Sequence, residues 1–130
     1  MDMQSGLINK VAVTGANVND AKALQHICPS EGAVFGDKGY CTKPARDTAV
    51  RRGVHLAAIR MNNMKTKNKD QDKWYSKLRS PYERMFSKCS KRARYLGIAK
   101  NQFAEFMWAM AFNLKRLAAL PPPQIRTSGV

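Results

Sequence analysis

Two short apolar runs, AVFG (33–36) and VHLAAI (54–59), limit the possible fold more than any other feature of the sequence. Between them lies the helical segment PARDTAVRR (44–52), which opens with a proline and is closed by Gly53. A helix that connects two short apolar strands is typical of parallel neighbours, because a parallel pair needs a crossover connection. The sequence therefore predicts an α/β unit here.

The same alternation starts earlier in the chain. Residues 7–14, LINKVAVT, are predicted to form a strand, and Asp20 is predicted to cap a short helix through AKALQHI (21–27). Together with the later runs, this gives a βαβαβ order with brief connections. The expected fold class is α/β, with parallel strands and flanking helices.

The pattern changes after the third apolar run. Residues 61–73, MNNMKTKNKDQDK, have no apolar period and are predicted to form a mobile loop. SPYE (80–83) has the residue types of a capping box and predicts the start of a helix. A last helix, from about 100 to 117, has an apolar face that we expect to be buried. These features predict one domain, residues 1–120, followed by a flexible tail, residues 121–130.

The charge of the chain indicates the kind of partner. It has 23 Lys and Arg against nine Asp and Glu, a net charge of +14. Such a charge favours a polyanionic partner, nucleic acid first and an anionic membrane surface second. No apolar run approaches the length of about 18 residues that a membrane span needs, and the N-terminus lacks the features of a signal peptide. Three widely spaced cysteines fit reduced thiols, so we expect a cytoplasmic protein.

Two acidic residues are candidates for chemistry in this basic chain. Asp37 follows an apolar run at the expected carboxyl edge of the sheet, where ligands collect. Taken alone, it is also a common turn residue, because Asp accepts hydrogen bonds from nearby backbone amides. Glu83 has a similar alternative, since the third position of a capping box explains it fully. Local sequence leaves both interpretations open.

The basic residues between 60 and 100 form a second candidate site. This stretch contains 13 Lys and Arg against three acids, with several aromatic residues among them. Cations with interleaved aromatic residues suit phosphate contacts and base stacking, although a solvated charged face is the alternative. His26, Cys28, Cys41 and His55 supply zinc-type donors, but their spacing does not match that of small zinc sites.

Four segments in order, TGANVNDAKAL, VFGDKGY, RSPYERMFSKCSKRARYLGIAKNQ and AFNLKRL, resemble the C-terminal half of a DDE transposase of small bacterial insertion sequences. In that family, the second catalytic Asp lies in a D-x-G-Y setting, matched by Asp37, Gly39 and Tyr40. The catalytic Glu lies in an R-x₃-E setting, matched by Arg79 and Glu83. The resemblance covers about residues 5–117.

The resemblance implies a fold similar to ribonuclease H and a site for Mg²⁺ or Mn²⁺. Asp37 and Glu83 would be two of three catalytic carboxylates, and both would be metal ligands that help two cations to activate and stabilise oxygens during DNA strand transfer. The partner it implies is DNA, and no membrane is expected. The basic residues that we expect to contact DNA are Lys38, Arg79, Arg84, Lys88, Lys91, Arg92, Arg94 and Lys100.

The sequence lacks a match to the family's first catalytic Asp, which lies on an early strand. We therefore expect a truncated ribonuclease H-like sheet that is inactive alone and that needs the N-terminal half of the transposase as a partner. A homo-oligomer is a further partner to test. The alternatives are a stand-alone basic protein that binds nucleic acid without catalysis, and a zinc-stabilised interaction module.

Overall fold

The central element of the fold is a parallel pair of strands, β1 (Ala33–Gly36) and β2 (His55–Ala58). The computed structural model describes residues 1–89 and 95–121. In this part of the chain the sheet has two strands, and its register runs from Ala33 opposite His55 to Gly36 opposite Ala58. The predicted parallel pairing of these two runs is confirmed. Because both strands point the same way, their carboxyl ends share one edge of the sheet.

Two helices pack with this sheet and form the core. Helix α1 spans Asp20–Ile27 and helix α2 spans Lys43–Arg52, with Gly53 as its C-cap, so α2 agrees with the sequence prediction. The cap of α1 is Asn19, whose side chain accepts a hydrogen bond from the Ala21 amide, so the prediction of Asp20 as the cap is wrong by one residue. The buried core residues are Ala21, Leu24, Cys28, Ala45 and Val54, with Ile27, Val34, Tyr40 and Leu56 packed against them.

Residues 7–14 contain neither a strand nor a helix, so the predicted first strand is wrong. The Ile8 backbone is paired with a side chain instead of a neighbouring strand. The Asn113 amide accepts a hydrogen bond from Ile8 N at 2.8 Å and donates one to Ile8 O at 2.9 Å. The Lys10 ammonium donates to the Cys28 carbonyl at 2.8 Å. An alternating sequence permits a strand, but strand pairing needs a partner of matching register.

The third helix, α3, spans Lys69–Phe86 and corrects two predictions. The expected mobile loop ends at Asn68, whose side chain caps the helix by accepting from the Asp70 and Gln71 amides. Pro81 lies inside the helix, so the capping box predicted for residues 80–83 is wrong. Pro81 removes one helical hydrogen bond, but the buried residues Tyr75 and Met85 anchor the helix on either side of it.

Aromatic and ionic contacts attach the first half of α3 to the sheet. Phe35 of β1 packs edge-on against Trp74 and Tyr75, with ring centroids 6.3 and 5.8 Å apart. Asp72 is buried, accepts a hydrogen bond from the Arg60 amide at 3.0 Å and lies 3.1 Å from the Lys67 ammonium. These contacts fix the direction of α3 relative to the end of β2.

The last helix, α4, spans Ile98–Ala118, close to the predicted limits, but its apolar face is not buried. Six large side chains on one side of it are between 46% and 66% exposed, and we call them the apolar stripe: Phe103, Phe106, Met107, Met110, Leu114 and Leu117. The opposite side, with Ala109 buried, packs inward. None of the described helices, α4 included, is long and apolar enough to cross a membrane. Apart from Pro121, the predicted flexible tail lies outside the described residues.

Candidate metal and nucleic-acid site

Asp37 lies directly after β1 at the carboxyl edge of the sheet. Its Oδ1 accepts a hydrogen bond from the Gly39 amide at 2.9 Å, which caps a short 3₁₀ turn, Lys38–Tyr40. The turn interpretation is therefore confirmed. The side chain is also exposed, so the carboxylate keeps an accessible face while it forms the turn. Both local interpretations of Asp37 are compatible with this geometry.

Tyr40 packs back over the end of β1, and a glycine makes this possible. A Cβ atom on Gly36 would lie 2.9 Å from the Tyr40 Cβ, which is too close for two non-bonded carbon atoms. Burial raises the pKa of the Tyr40 phenol, the nearby Asp20 and Asp37 carboxylates raise it further, and the Arg79 guanidinium opposes them. Asp20, Asp37 and Arg79 therefore all lie within electrostatic range of one phenol.

Glu83 lies on α3, one helical turn after Arg79. The Arg79 Nη2 is 3.2 Å from the Glu83 Oε1, and the Glu83 side chain is 58% exposed. Because α3 begins at Lys69, a capping role does not account for Glu83. The i,i+4 spacing of the R-x₃-E motif is what allows this ion pair on a helix surface.

Asp37 and Glu83 come from different elements, the end of β1 and α3. Arg79 pairs with Glu83, and its charge lowers the pKa of the Tyr40 phenol, which the charge of Asp37 raises. Lys38 extends from the same turn to Asn62, with its Nζ 3.4 Å from the Asn62 Oδ1. The loop after β2 thus joins the turn after β1 at the shared carboxyl edge.

The other predicted DNA contacts lie elsewhere. Arg84 and Lys88 line a cavity beside the end of α3, and Lys100 lies at the start of α4 near Phe103 and Met107. Lys91, Arg92 and Arg94 lie outside the described residues.

Of the aromatic residues expected to stack on bases, Tyr75 is buried against Phe35 and is not accessible. The exposed fractions of Trp74 and Tyr95 are 55% and 49%, and the Tyr82 hydroxyl donates a hydrogen bond to the Met3 carbonyl.

The two candidate carboxylates provide suitable donors for a hard cation but do not make a complete metal site. Asp37 and Glu83 offer accessible carboxylate oxygens, which are the ligands that Mg²⁺ and Mn²⁺ prefer. Within residues 1–89 and 95–121, no three or more His, Cys, Asp or Glu side chains gather closely enough to bind a metal ion. Cys28, Cys41 and Cys89 form no disulfide.

Sequence reasoning missed the roles of four residues that organise the fold. Asp20 was assigned to a cap but lies near the Tyr40 phenol, and Asp72 was assigned to a mobile loop but is the buried anchor of α3. Asn68 followed by Gln71 is a capping pattern that could have revealed the true start of α3. Arg116, which approaches the N-terminal segment, has no local signal in the sequence.

Comparison with known families agrees with the resemblance of the motifs. The sequence model of the transposase DDE domain matches residues 1–114, which is most of the chain. A search of curated proteins and a search of solved structures each returned no match. The family match spans both candidate carboxylates and the segments that position them. The chain therefore belongs to the transposase DDE domain family.

Proposed function

We propose that this chain is the C-terminal part of a DDE transposase catalytic domain, which binds DNA and contributes Asp37 and Glu83 to a site for DNA strand cleavage and transfer. The observation that carries this proposal is the family match over residues 1–114, which includes both carboxylates. Its structural support is the exposed Asp37 carboxylate at the carboxyl end of β1 and the ion pair that restrains Glu83 on α3.

The proposed parent fold is a ribonuclease H-like mixed sheet. A parallel pair with helices packed on it is one part of such an architecture, and β1 and β2 are each paired on one side within the described residues. Further strands of the parent sheet would pair with an open side. The proposal therefore predicts an N-terminal half that completes the sheet and supplies the third carboxylate.

In the completed site, Asp37 and Glu83 would be ligands of Mg²⁺ or Mn²⁺. Bound there, the cations would supply a nucleophilic oxygen and would stabilise the leaving oxygen. The residues of this chain position the ligands. The Gly39 amide orients the Asp37 carboxylate, and the Arg79 guanidinium restrains Glu83 on the exposed side of α3. Glu83 would exchange part of its contact with Arg79 for the cation.

The basic residues would neutralise the DNA backbone near this site. Lys38 and Arg79 lie beside the carboxylates, whereas Arg84 lies further along α3 and Lys88 lies just after its end. Because phosphate contacts release counterions, the affinity of the chain for DNA should fall steeply with salt. Lys91, Arg92, Arg94 and Lys100 are proposed to extend the same contact.

The test combines this chain with the N-terminal half on duplex DNA that carries the ends of the element. With Mg²⁺ or Mn²⁺, we expect the completed protein to cleave and join DNA and this chain alone to do neither. Asp37→Ala and Glu83→Ala should abolish the activity. Asp47→Ala, a matched change of an exposed acid on α2, should leave the activity unchanged. Activity that survives both changes would disprove the assignment of the site.

The second candidate is a stand-alone nucleic-acid-binding protein without catalysis. It is favoured by the net charge of +14 and by the lack of a cluster of three metal ligands among the described residues. In that case, Asp37→Ala and Glu83→Ala would leave DNA binding unchanged or tighten it slightly, since each removes a negative charge. Binding by this chain together with inactivity of the completed protein would favour this candidate.

A further inference from the structure

A cavity of about 280 Å³ lies between the N-terminal segment, the end of α3 and the end of α4. Arg84 lines it from α3, Lys88 from the turn after α3 and Arg116 from α4, and its lining contains no acidic residue. Three cations in one concave space create a strongly positive potential, because the low-dielectric walls focus their field. The cavity therefore favours an anion.

The cations of this cavity are available for a ligand. Arg84 lies on α3 and Lys88 lies in the turn directly after it, and neither forms a salt bridge with any residue that the structure describes. Arg116 donates from Nε to the Ser5 carbonyl at 3.3 Å, which uses one of its five N–H groups. This bond holds the guanidinium against the N-terminal segment.

Gly6 makes the position of Arg116 possible. Its φ is +70°, and a Cβ atom there would lie 3.1 Å from both Nε and Nη2 of Arg116. A larger residue would therefore push the guanidinium away and would strain the backbone as well. The Gly6 backbone and the Ser5 carbonyl together fix the arginine at the rim of the cavity.

The remaining walls are apolar and aromatic. Tyr82, Met85 and Phe112 contribute them, and the Tyr82 hydroxyl is directed to the Met3 carbonyl. The volume is near the lower end of the range of about 300–1,000 Å³ for small-molecule pockets. A cationic rim over an apolar wall matches a phosphodiester with its attached sugar. The charged phosphate would contact the cations, and the sugar ring would lie against the apolar wall.

We propose that this cavity binds a backbone phosphate of DNA, with Arg116 as a contact residue. Arg116 belongs to the AFNLKRL segment, but the family resemblance assigns it no DNA contact. The inference rests on the proposed function, because it assumes that the chain binds DNA. The cavity is separate from the candidate metal site. Neither Asp37 nor Glu83 lines it, and Glu83 and the lining residue Arg84 point in directions roughly 100° apart around α3. A bound strand that reaches both would therefore contact two faces of this helix.

The test compares Arg116→Ala with Lys115→Ala in the full chain. Lys115 is the exposed neighbour on α4 and does not line the cavity, so both variants lose one charge and only one loses the cavity contact. We expect Arg116→Ala to weaken binding of a DNA duplex about tenfold, as for one charge-assisted contact, and to reduce the slope of log K against log salt by about one. Equal effects of the two changes would overturn the inference and would leave the proposed function intact.

Further measurements test the position of Arg116 and the chemistry of the ligand. Gly6→Ala keeps every charge and should weaken DNA binding in the same direction as Arg116→Ala, while circular dichroism shows whether each variant folds. Inorganic phosphate should shift the Nε–H resonance of Arg116 in NMR spectra, and the absence of a shift would contradict the site. If vesicles of anionic phospholipid bind through Arg116 and DNA does not bind, both this inference and the proposed function are wrong.

Discussion

Arg79 and Glu83 form an ion pair across one turn of α3, with Nη2 and Oε1 3.2 Å apart. The pair explains in physical terms why the motif has three residues between its arginine and its glutamate. Residues one or two positions apart on a helix do not face each other, so they could not form this pair. The charge of the same arginine also lowers the pKa of the Tyr40 phenol, in the turn that follows Asp37.

Replacing Arg79 by Ala should affect activity far more than stability. Exposed i,i+4 pairs stabilise a helix by about 0.3–0.5 kcal/mol, so the free energy of unfolding should change little. In the completed transposase, strand cleavage should fall because Glu83 loses its restraint. Lys77→Ala, a loss of one exposed charge on the same helix, is the control. Cleavage that is equal in both variants would show that the pair does not position Glu83.

The true start of α3 can be measured by removing each candidate cap. Asn68→Ala should lower the free energy of unfolding by about 1 kcal/mol, because the Asp70 and Gln71 amides lose their acceptor. Ser80→Ala should change it by less than about 0.5 kcal/mol, since Ser80 lies inside the helix. Chemical denaturation of both variants provides the comparison. The opposite ranking would restore the capping box at residues 80–83.

The bidentate contact of Asn113 should contribute measurably to stability. Asn113→Leu leaves both Ile8 N and Ile8 O without their partner, which should lower the free energy of unfolding by about 1–3 kcal/mol. Lys115→Leu adds a similar side chain at an exposed site of the same helix and should have little effect. Amide hydrogen exchange at Ile8 should accelerate in the first variant alone. Unchanged exchange would contradict the contact.

Asp72 should make stability depend on acid pH. The hydrogen bond from the Arg60 amide lowers the pKa of its carboxyl group, burial opposes this, and Lys67 lowers the pKa further. The folded pKa is below the unfolded value, so this contribution is complete above about pH 4 and is lost as the pH falls through the folded pKa. Asp72→Asn should reduce that part of the pH dependence. A variant with the same acid dependence as the wild type would contradict this role.

The apolar stripe of α4 should drive self-association. Soluble monomers rarely expose a contiguous apolar surface of this kind, so we expect concentration-dependent association in sedimentation experiments. Met110→Glu places a charge in the middle of the stripe and should reduce association. Ala111→Glu adds the same charge at the next exposed position, outside the stripe, and should reduce it less. Equal behaviour of the two variants would show that net charge alone controls association.

The sequence predicted those elements whose local signals agree with their tertiary environment. For β1, α2 and β2, apolar runs, a proline at the start and Gly53 at the end all favour the same structure. The start of α3 was missed because Pro81 was the strongest local signal, whereas Tyr75 and Met85 anchor the helix through tertiary contacts. The pattern of α4 predicted where the helix begins and ends but did not predict that its apolar face is exposed. Amphipathicity shows which face of a helix is apolar and does not show what covers that face.

The candidate site was only partly visible in the sequence. The spacing of Arg79 and Glu83 is local, and their pairing follows from helix geometry. The effect of Asp20 on Tyr40 depends on how α1 packs against the 3₁₀ turn Lys38–Tyr40, which no local pattern encodes. Arg116 reaches the N-terminal segment from the other end of the chain, and periodicity carries no information about such contacts.

The bond between Asn113 and Ile8 joins residues 105 positions apart, and this separation sets an order in time during synthesis. A ribosome that adds about 5–20 residues per second delivers Asn113 roughly 5–20 s after Ile8. The β1–α2–β2 unit has all of its own partners well before then. The segment around Ile8 is synthesised before the β1–α2–β2 unit and should nevertheless become ordered after it.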